Sequence, residues 1–160
     1  MLDPLSMRPG PLRVRPAVED DCDFVIGLAA RFGPGRPAWR GCSEVVEGTR
    51  RQLAAAFAQR RAGERVLIAI DAAGANVGFA YVVTHTDFFT GEPHGHVSEI
   101  AVVADGSGAG GVLIEAAEQW SRERGFRYLS LNVNDANEHA RRFYERRAFL
   151  PEYRHLVKLL

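Results

Sequence analysis

The sequence predicts one α/β domain with a mixed central sheet flanked by helices. Three observations lead there. Apolar runs separated by turn signals between Val66 and Val103 read as antiparallel strands. From Glu99 to Arg124 an apolar strand enters a glycine-rich turn and then a helical pattern, which is the βα logic of a parallel crossover. The chain has 160 residues, 46% of them hydrophobic and 25% charged. A domain of that size buries about 70% of the surface its unfolded chain exposes.

The elements follow in order. Residues 1–11 hold Pro4, Pro9 and Gly10 with no long apolar core, and we expect a flexible leader ahead of a domain spanning residues 12–160. Leu12–Arg15 reads as a short strand closed by Pro16. Ala17–Arg31 reads as a helix, with Glu19, Asp20 and Asp21 at its positive end and Phe24, Val25, Leu28 and Phe32 as its apolar stripe. The run Gly33-Pro-Gly-Arg-Pro37 ends it. A second helix is expected over Ser43–Arg61, burying Val46, Leu53, Ala54 and Phe57. Val66–Ile70 and Val77–Thr84 form a hairpin, Thr86–His94 is a loop carrying Phe88 and Phe89, and His96–Val103 is the next strand. A helix over Gly110–Arg124 presents Leu113, Ala117 and Trp120 to the core. A strand over Phe126–Val133, a helix over Asn137–Arg147 and a closing strand over Tyr153–Leu159 complete the order β-α-α-β-β-β-α-β-α-β.

Composition excludes several classes. Twenty basic and twenty acidic residues cancel, so no global field recruits nucleic acid or an anionic membrane. No apolar run reaches the length of a membrane span. Cys22 and Cys42 fit neither a disulfide framework nor a zinc pattern; we read both as small buried or half-buried residues and expect no metal. A cytoplasmic location is the expectation.

The turn Asp105-Gly-Ser-Gly-Ala-Gly-Gly111 carries the chemistry. Glycines allow close backbone approach to a ligand, and the following helix start offers unpaired N–H groups and a positive dipole end, so the turn suits a phosphate. Gly106-x-Gly108-x-x-Gly111 also matches the dinucleotide fingerprint. The preceding hairpins and the roughly fifty residues that follow do not suit a doubly wound dinucleotide fold. No Lys-Ser or Lys-Thr ends the run, so a Walker-type loop fails too.

A second block gives the turn its context. Asn137-x-x-Ala140-x-x-Phe143-Tyr144-Glu145-x-x-Ala148-Phe149 resembles the signature of the GCN5-related N-acetyltransferases (GNAT), with Ala148 where a glycine is usual. The glycine turn is then similar to that family's acetyl-coenzyme A loop, and Leu113 falls on its leucine position. The resemblance covers nearly the whole chain, and the loop and ending are similar to small stand-alone bacterial acetyltransferases. It implies the single-domain acyl-CoA N-acyltransferase fold and transfer of an acetyl group from acetyl-CoA to a primary amine, on a small molecule or a peptide.

The resemblance also implies roles. Backbone at Val102 and Val103 would pair with the pantetheine arm and polarise the thioester. The amides of Gly106, Ser107, Gly108, Ala109, Gly110 and Gly111 would grip the pyrophosphate, and Asn137 would contact the arm. Tyr144 would protonate the departing thiolate; a core tyrosine is the other reading. Glu99 is the candidate base for the ammonium of the acceptor, with a substrate anchor or a solvated residue as alternatives. His85, His94 and His96 lie around the substrate-side loop as structural residues or as a proton relay. His85, Phe88 and Phe89 are the candidate acceptor contacts, the phenylalanines as pocket, lid or interface. The cluster Arg141, Arg142, Arg146 and Arg147 is either a solvated face or, at Arg147, a contact for the coenzyme A phosphate.

Two departures from the family's pattern matter: the loop between Val103 and Gly106 is about two residues short, and Asp105 stands where the family's loop usually has Gln or Arg. A carboxylate beside a pyrophosphate repels it by roughly a kcal/mol at 4 Å in water. That leaves a competing reading: a non-catalytic acyl-CoA sensor or scaffold with a weakened cofactor site. The C-terminal strand could pair across a homodimer.

Overall fold

The computed structural model describes residues 10–160, so most of the expected leader lies outside the described residues. A five-stranded sheet runs in the order β1 (Arg13–Pro16), β2 (Glu64–Ile70), β3 (Asn76–Thr86), β4 (Pro93–Val102) and β5 (Leu129–Leu131). The first three pairings are antiparallel and β4 pairs β5 in parallel, so the sheet is mixed as expected. The helices are α1 (Cys22–Gly27), α2 (Cys42–Gln59), α3 (Ala109–Glu123) and α4 (Glu138–Glu145).

Strand alternation divides the core between the two faces of the sheet. On one face Leu67, Ala69, Ala80, Val82 and Val97 meet Ala109, Leu113, Ile114, Ala117 and Trp120 of α3. On the other, Ile68, Phe79, Tyr81, Val83 and Ala101 meet Val25, Ala29, Leu53 and Ala56 from the first two helical segments. Leu53, Ile68, Phe79, Leu113 and Ile114 are fully buried, and each such side chain contributes about 1.5–3 kcal/mol by leaving water. Asp21 fixes the entry into α1. Its carboxylate accepts from Arg15 at 2.6 and 2.8 Å, from Asn76 at 2.9 Å and from the Val18 amide at 2.8 Å. These contacts hold its pKa down to about 2, with the Arg15 hydrogen bond as the main cause.

Five expectations need correction, the first being Ala54, which lies exposed on α2 while Ala56 takes the buried position. The helix expected over Ala17–Arg31 is α1 flanked by tight 3-10 turns at Glu19–Asp21 and Leu28–Phe32. The strand expected over Phe126–Val133 shrinks to three residues, because β4 offers a partner only from Gly95 to Val97. The closing strand over Tyr153–Leu159 does not pair; that segment has no regular secondary structure and is exposed. Cys42 is exposed at the start of α2, whereas Cys22 is half-buried. Pairing of a strand depends on a neighbour that local pattern does not encode.

Candidate active site

The site forms where β4 and β5 part company. They pair only from Gly95 to Val97, and beyond that point β4 continues alone to Val102. The register of β3 and β4 shifts between Tyr81 and Val82, so Ser98 is the extra residue of a β-bulge. The Val103 amide donates to the Val77 carbonyl at 2.9 Å. Backbone direction alternates along an antiparallel strand, so the N–H and C=O of Val102 point the other way, into the gap beside β5. Of the two residues expected to face a pantetheine arm, Val102 has its backbone groups so directed, while Val103 is engaged with β3.

At the end of β4 the chain enters the glycine turn. Gly106 and Gly108 take φ of +75° and +86°, the left-handed region that side chains resist. Ser107 Oγ accepts from the Ala109 amide at 3.4 Å, and the Gly108 carbonyl accepts from Gly111 and Val112 at 3.0 and 3.3 Å. The Ala109 and Gly111 amides are therefore tied inside the turn. Gly110 and Gly111 also have a packing reason. A Cβ on Gly110 would sit 3.1 Å from the Phe143 ring, and one on Gly111 would sit 2.6 Å from Arg147 Nη2. The missing side chains let α4 lie close against the start of α3.

Helix α4 brings the second block to the same place. Asn137 caps it, its side chain accepting from the Ala140 amide at 3.1 Å. The Asn137 side-chain oxygen is occupied by that cap, and its Nδ2 faces Gly35, where a Cβ would stand 2.6 Å away. The Arg147 guanidinium lies 3.9 Å over the Phe143 ring. Tyr144 is half-buried, edge-on to Phe143 and Phe149, and burial pushes its phenol up to about 12. A phenol so placed stays protonated through the physiological range, the state an acid needs.

Glu99 occupies the opposite face, beside Tyr81 in the β3–β4 register. Its Oε2 is buried with no hydrogen-bond partner among the described residues. Burial raises its pKa to about 7, with Ser98 pulling modestly the other way. Tyr81 donates to Glu64 Oε2 at 2.6 Å, and the field of both carboxylates lifts the phenol well above its ordinary value after burial itself. A cavity of about 270 Å³ between α2 and the sheet is lined by Gln52, Glu64, Tyr81, Ser98 and His85 among others.

The histidines lie further along this face. His94 and His96 are buried, and His85 is exposed and stacked on His96 with ring centroids 4.2 Å apart. His96 Nδ1 lies 2.8 Å from Ser130 Oγ, and burial lowers its pKa to about 4. Phe88 and Phe89 stand 92% and 84% exposed, packed edge-on to each other at the loop tip. They do not line the cavity between α2 and the sheet. Among the described residues no group of three or more His, Cys, Asp or Glu could hold a metal ion, and no helix is long and apolar enough to cross a membrane.

One residue escaped the sequence reading. Arg31 Nη2 contacts Asp105 Oδ1 at 2.6 Å. The segment from Arg31 to Gly35 therefore touches both the glycine turn and Asn137. Nothing in the local pattern around Arg31 signals a contact 74 residues away.

Comparison with known proteins settles the family. The model of the acetyltransferase (GNAT) family matches residues 36–149, from before α2 through Phe149. The chain belongs to the GNAT acetyltransferase family. Solved GNAT-fold structures agree on the architecture. A Pyrococcus furiosus protein assigned as an acetyl transferase superposes with a TM-score of 0.76 at 20% identity, covering 94% of this chain and 100% of that one. A ribosomal-protein-alanine N-acetyltransferase from Brucella melitensis biovar Abortus 2308 gives 0.69 at 21%, covering 94% and 99%. The aminoglycoside N-acetyltransferase AAC(6')-Iy, in complex with CoA, gives 0.69 at 19%, covering 98% and 99%. No curated protein matches the sequence as a relative. GNAT enzymes take acetyl-CoA as acyl donor and act on amine acceptors.

Proposed function

We propose that this GNAT protein transfers an acetyl group from acetyl-CoA to a primary amine of a small molecule or peptide by direct attack. The observation that carries the reading is the β4 edge at Val102, unpaired beyond Val97, with Tyr144 packed in the same cluster as Val102 and Glu99 on the other face of the same strand. The Val102 amide would polarise the thioester carbonyl. The free amides of the glycine turn (Gly106, Ser107, Gly108 and Gly110) would face the pyrophosphate, with Asn137 Nδ2 toward the arm and Arg147 toward a phosphate.

Glu99 would take the proton that the acceptor ammonium must lose before its nitrogen can attack. The amine nitrogen then forms its bond to the acetyl carbon as the carbon–sulfur bond breaks. Tyr144 would deliver its proton to the departing thiolate. His85, at the cavity rim, and the exposed pair Phe88 and Phe89 are the proposed acceptor contacts.

The sensor reading has two grounds, the short loop before Gly106 and the charge of Asp105. Arg31 compensates that charge, which favours the enzyme reading. Calorimetric titration with acetyl-CoA, followed by thiol release across an amine panel, tests the proposal. Binding with amine-dependent release supports it. No binding at millimolar acetyl-CoA contradicts it, and binding without turnover returns the sensor.

A further inference from the structure

Tyr81 stands between two carboxyl groups and has one proton to give. We propose that Glu64 is a positioning residue for the site: by holding the Tyr81 hydroxyl it keeps that hydroxyl off Glu99 and leaves the Glu99 carboxyl unpartnered. The consequence for turnover rests on the reading of Glu99 as the base.

Strand register places the three groups. Tyr81 on β3 pairs with Val66 of β2 on one side and with Glu99 of β4 on the other. Side chains directly opposite in an antiparallel pair have Cβ atoms about 5 Å apart, so Tyr81 and Glu99 are immediate neighbours on one face of the sheet. Glu64 lies two residues before Val66, on that same face and diagonal to Tyr81. The phenol donates along the diagonal, to Glu64 Oε2 at 2.6 Å. A tyrosine carries a single O–H, so Glu99 receives none. The buried Oε2 of Glu99 has no partner among the described residues.

Glu64 is itself fixed. Its Oε1 accepts from Arg61 Nη1 at 3.2 Å, and its side chain is only 17% exposed. An acceptor so held keeps the hydroxyl turned away from β4. The other groups around Glu99 do not replace it. His96 lies further along its own strand, hydrogen-bonded to Ser130, and His85 lies beyond Tyr81 on β3, stacked on His96. The Leu28–Phe32 turn packed against β4 carries Arg31, which is held by Asp105. From α2, Gln52 Nε2 donates to Ser98 Oγ at 2.9 Å. Burial, opposed only by Ser98, therefore governs the Glu99 proton. A hydroxyl donated to Glu99 would favour its ionised form and make it a weaker base. Holding the hydroxyl elsewhere keeps the carboxyl poised near neutrality, where a base works best.

The test is a carbon-13 NMR titration of the glutamate carboxyls in the full chain, with the Glu99 signal assigned by its loss in Glu99→Gln, alongside kcat against pH. In the unsubstituted chain Glu99 should titrate near 7. Glu64→Ala frees the hydroxyl and should lower the Glu99 midpoint by about one unit or more. Glu64→Gln keeps an acceptor oxygen and Tyr81→Phe removes the hydroxyl, so both should stay near the original midpoint. Tyr81→Phe added to Glu64→Ala should bring the midpoint back. An unmoved midpoint in Glu64→Ala overturns the proposal. So does an equal fall in Glu64→Gln, which would make the effect one of charge alone, or a double variant that stays low. The kcat inflection should follow the NMR midpoint. A kcat profile that ignores a carboxyl moving as expected refutes the base reading and supports the assignment of Glu64.

Discussion

Arg31 reaches the carboxylate of Asp105 at 2.6 Å and joins the end of the first helical segment to the turn proposed to hold coenzyme A. Both side chains are substantially exposed, so the pair itself stabilises the fold by no more than about 1 kcal/mol. Its consequence lies in the charge it presents to a phosphate.

Arg31→Ala should therefore weaken acetyl-CoA binding several-fold, because it leaves Asp105 uncompensated beside the pyrophosphate. Adding Asp105→Asn should restore much of the loss. Calorimetry on the single and double variants checks this. Equal affinity in all three would mean that neither residue borders the cofactor.

Tyr144→Phe should lower kcat by about 100-fold while leaving the acetyl-CoA affinity nearly unchanged, since only the proton donor is removed. The packing against Phe143 and Phe149 survives the substitution. Unaltered turnover would remove Tyr144 from the acid role.

Glu99 makes two predictions with opposite pH behaviour. A base works when ionised, so kcat should rise with pH through an inflection near 7, and Glu99→Gln should abolish both the inflection and most of the activity. For stability the sign reverses. A carboxyl raised from 4.5 to about 7 in the fold favours folding fully below pH 4.5 and loses that contribution as pH rises through 7, an effect on the order of 3 kcal/mol. Thermal unfolding of Glu99→Gln should thus occur above wild type at pH 8, with the gap closing toward pH 5.

Asp21 shows the usual carboxylate sign. Its pKa falls from 3.8 to about 2, so its contribution is complete above pH 3.8 and disappears as pH drops through 2. Asp21→Ala strands Arg15 and should cost about 3 kcal/mol at pH 7, read as a fall in the unfolding midpoint.

Much of this was legible in the sequence. The hairpin of β2 and β3 and the helix after the glycine turn follow from periodicity and turn residues, which act locally. Asn137 to Phe149 named the family because its spacing reflects one helix, α4, fitted against the Gly110–Gly111 backbone. What local pattern could not supply is which distant groups meet. The Arg31–Asp105 contact, the three-residue limit of β5 and the unpaired Tyr153–Leu159 are all of this kind. The glycine pair was read as a phosphate grip, and close packing by Phe143 and Arg147 is its second cause.

The proposed chemistry is acetyl transfer through the gap beside Val102. It is tested most directly by following thiol release from acetyl-CoA while identifying the acceptor product by mass spectrometry across an amine panel. One acetylated amine should form per thiol released, with the rate strongly reduced in Tyr144→Phe. Thiol release that ignores added amine, or acetyl-CoA left intact by every amine at millimolar concentration, would contradict it.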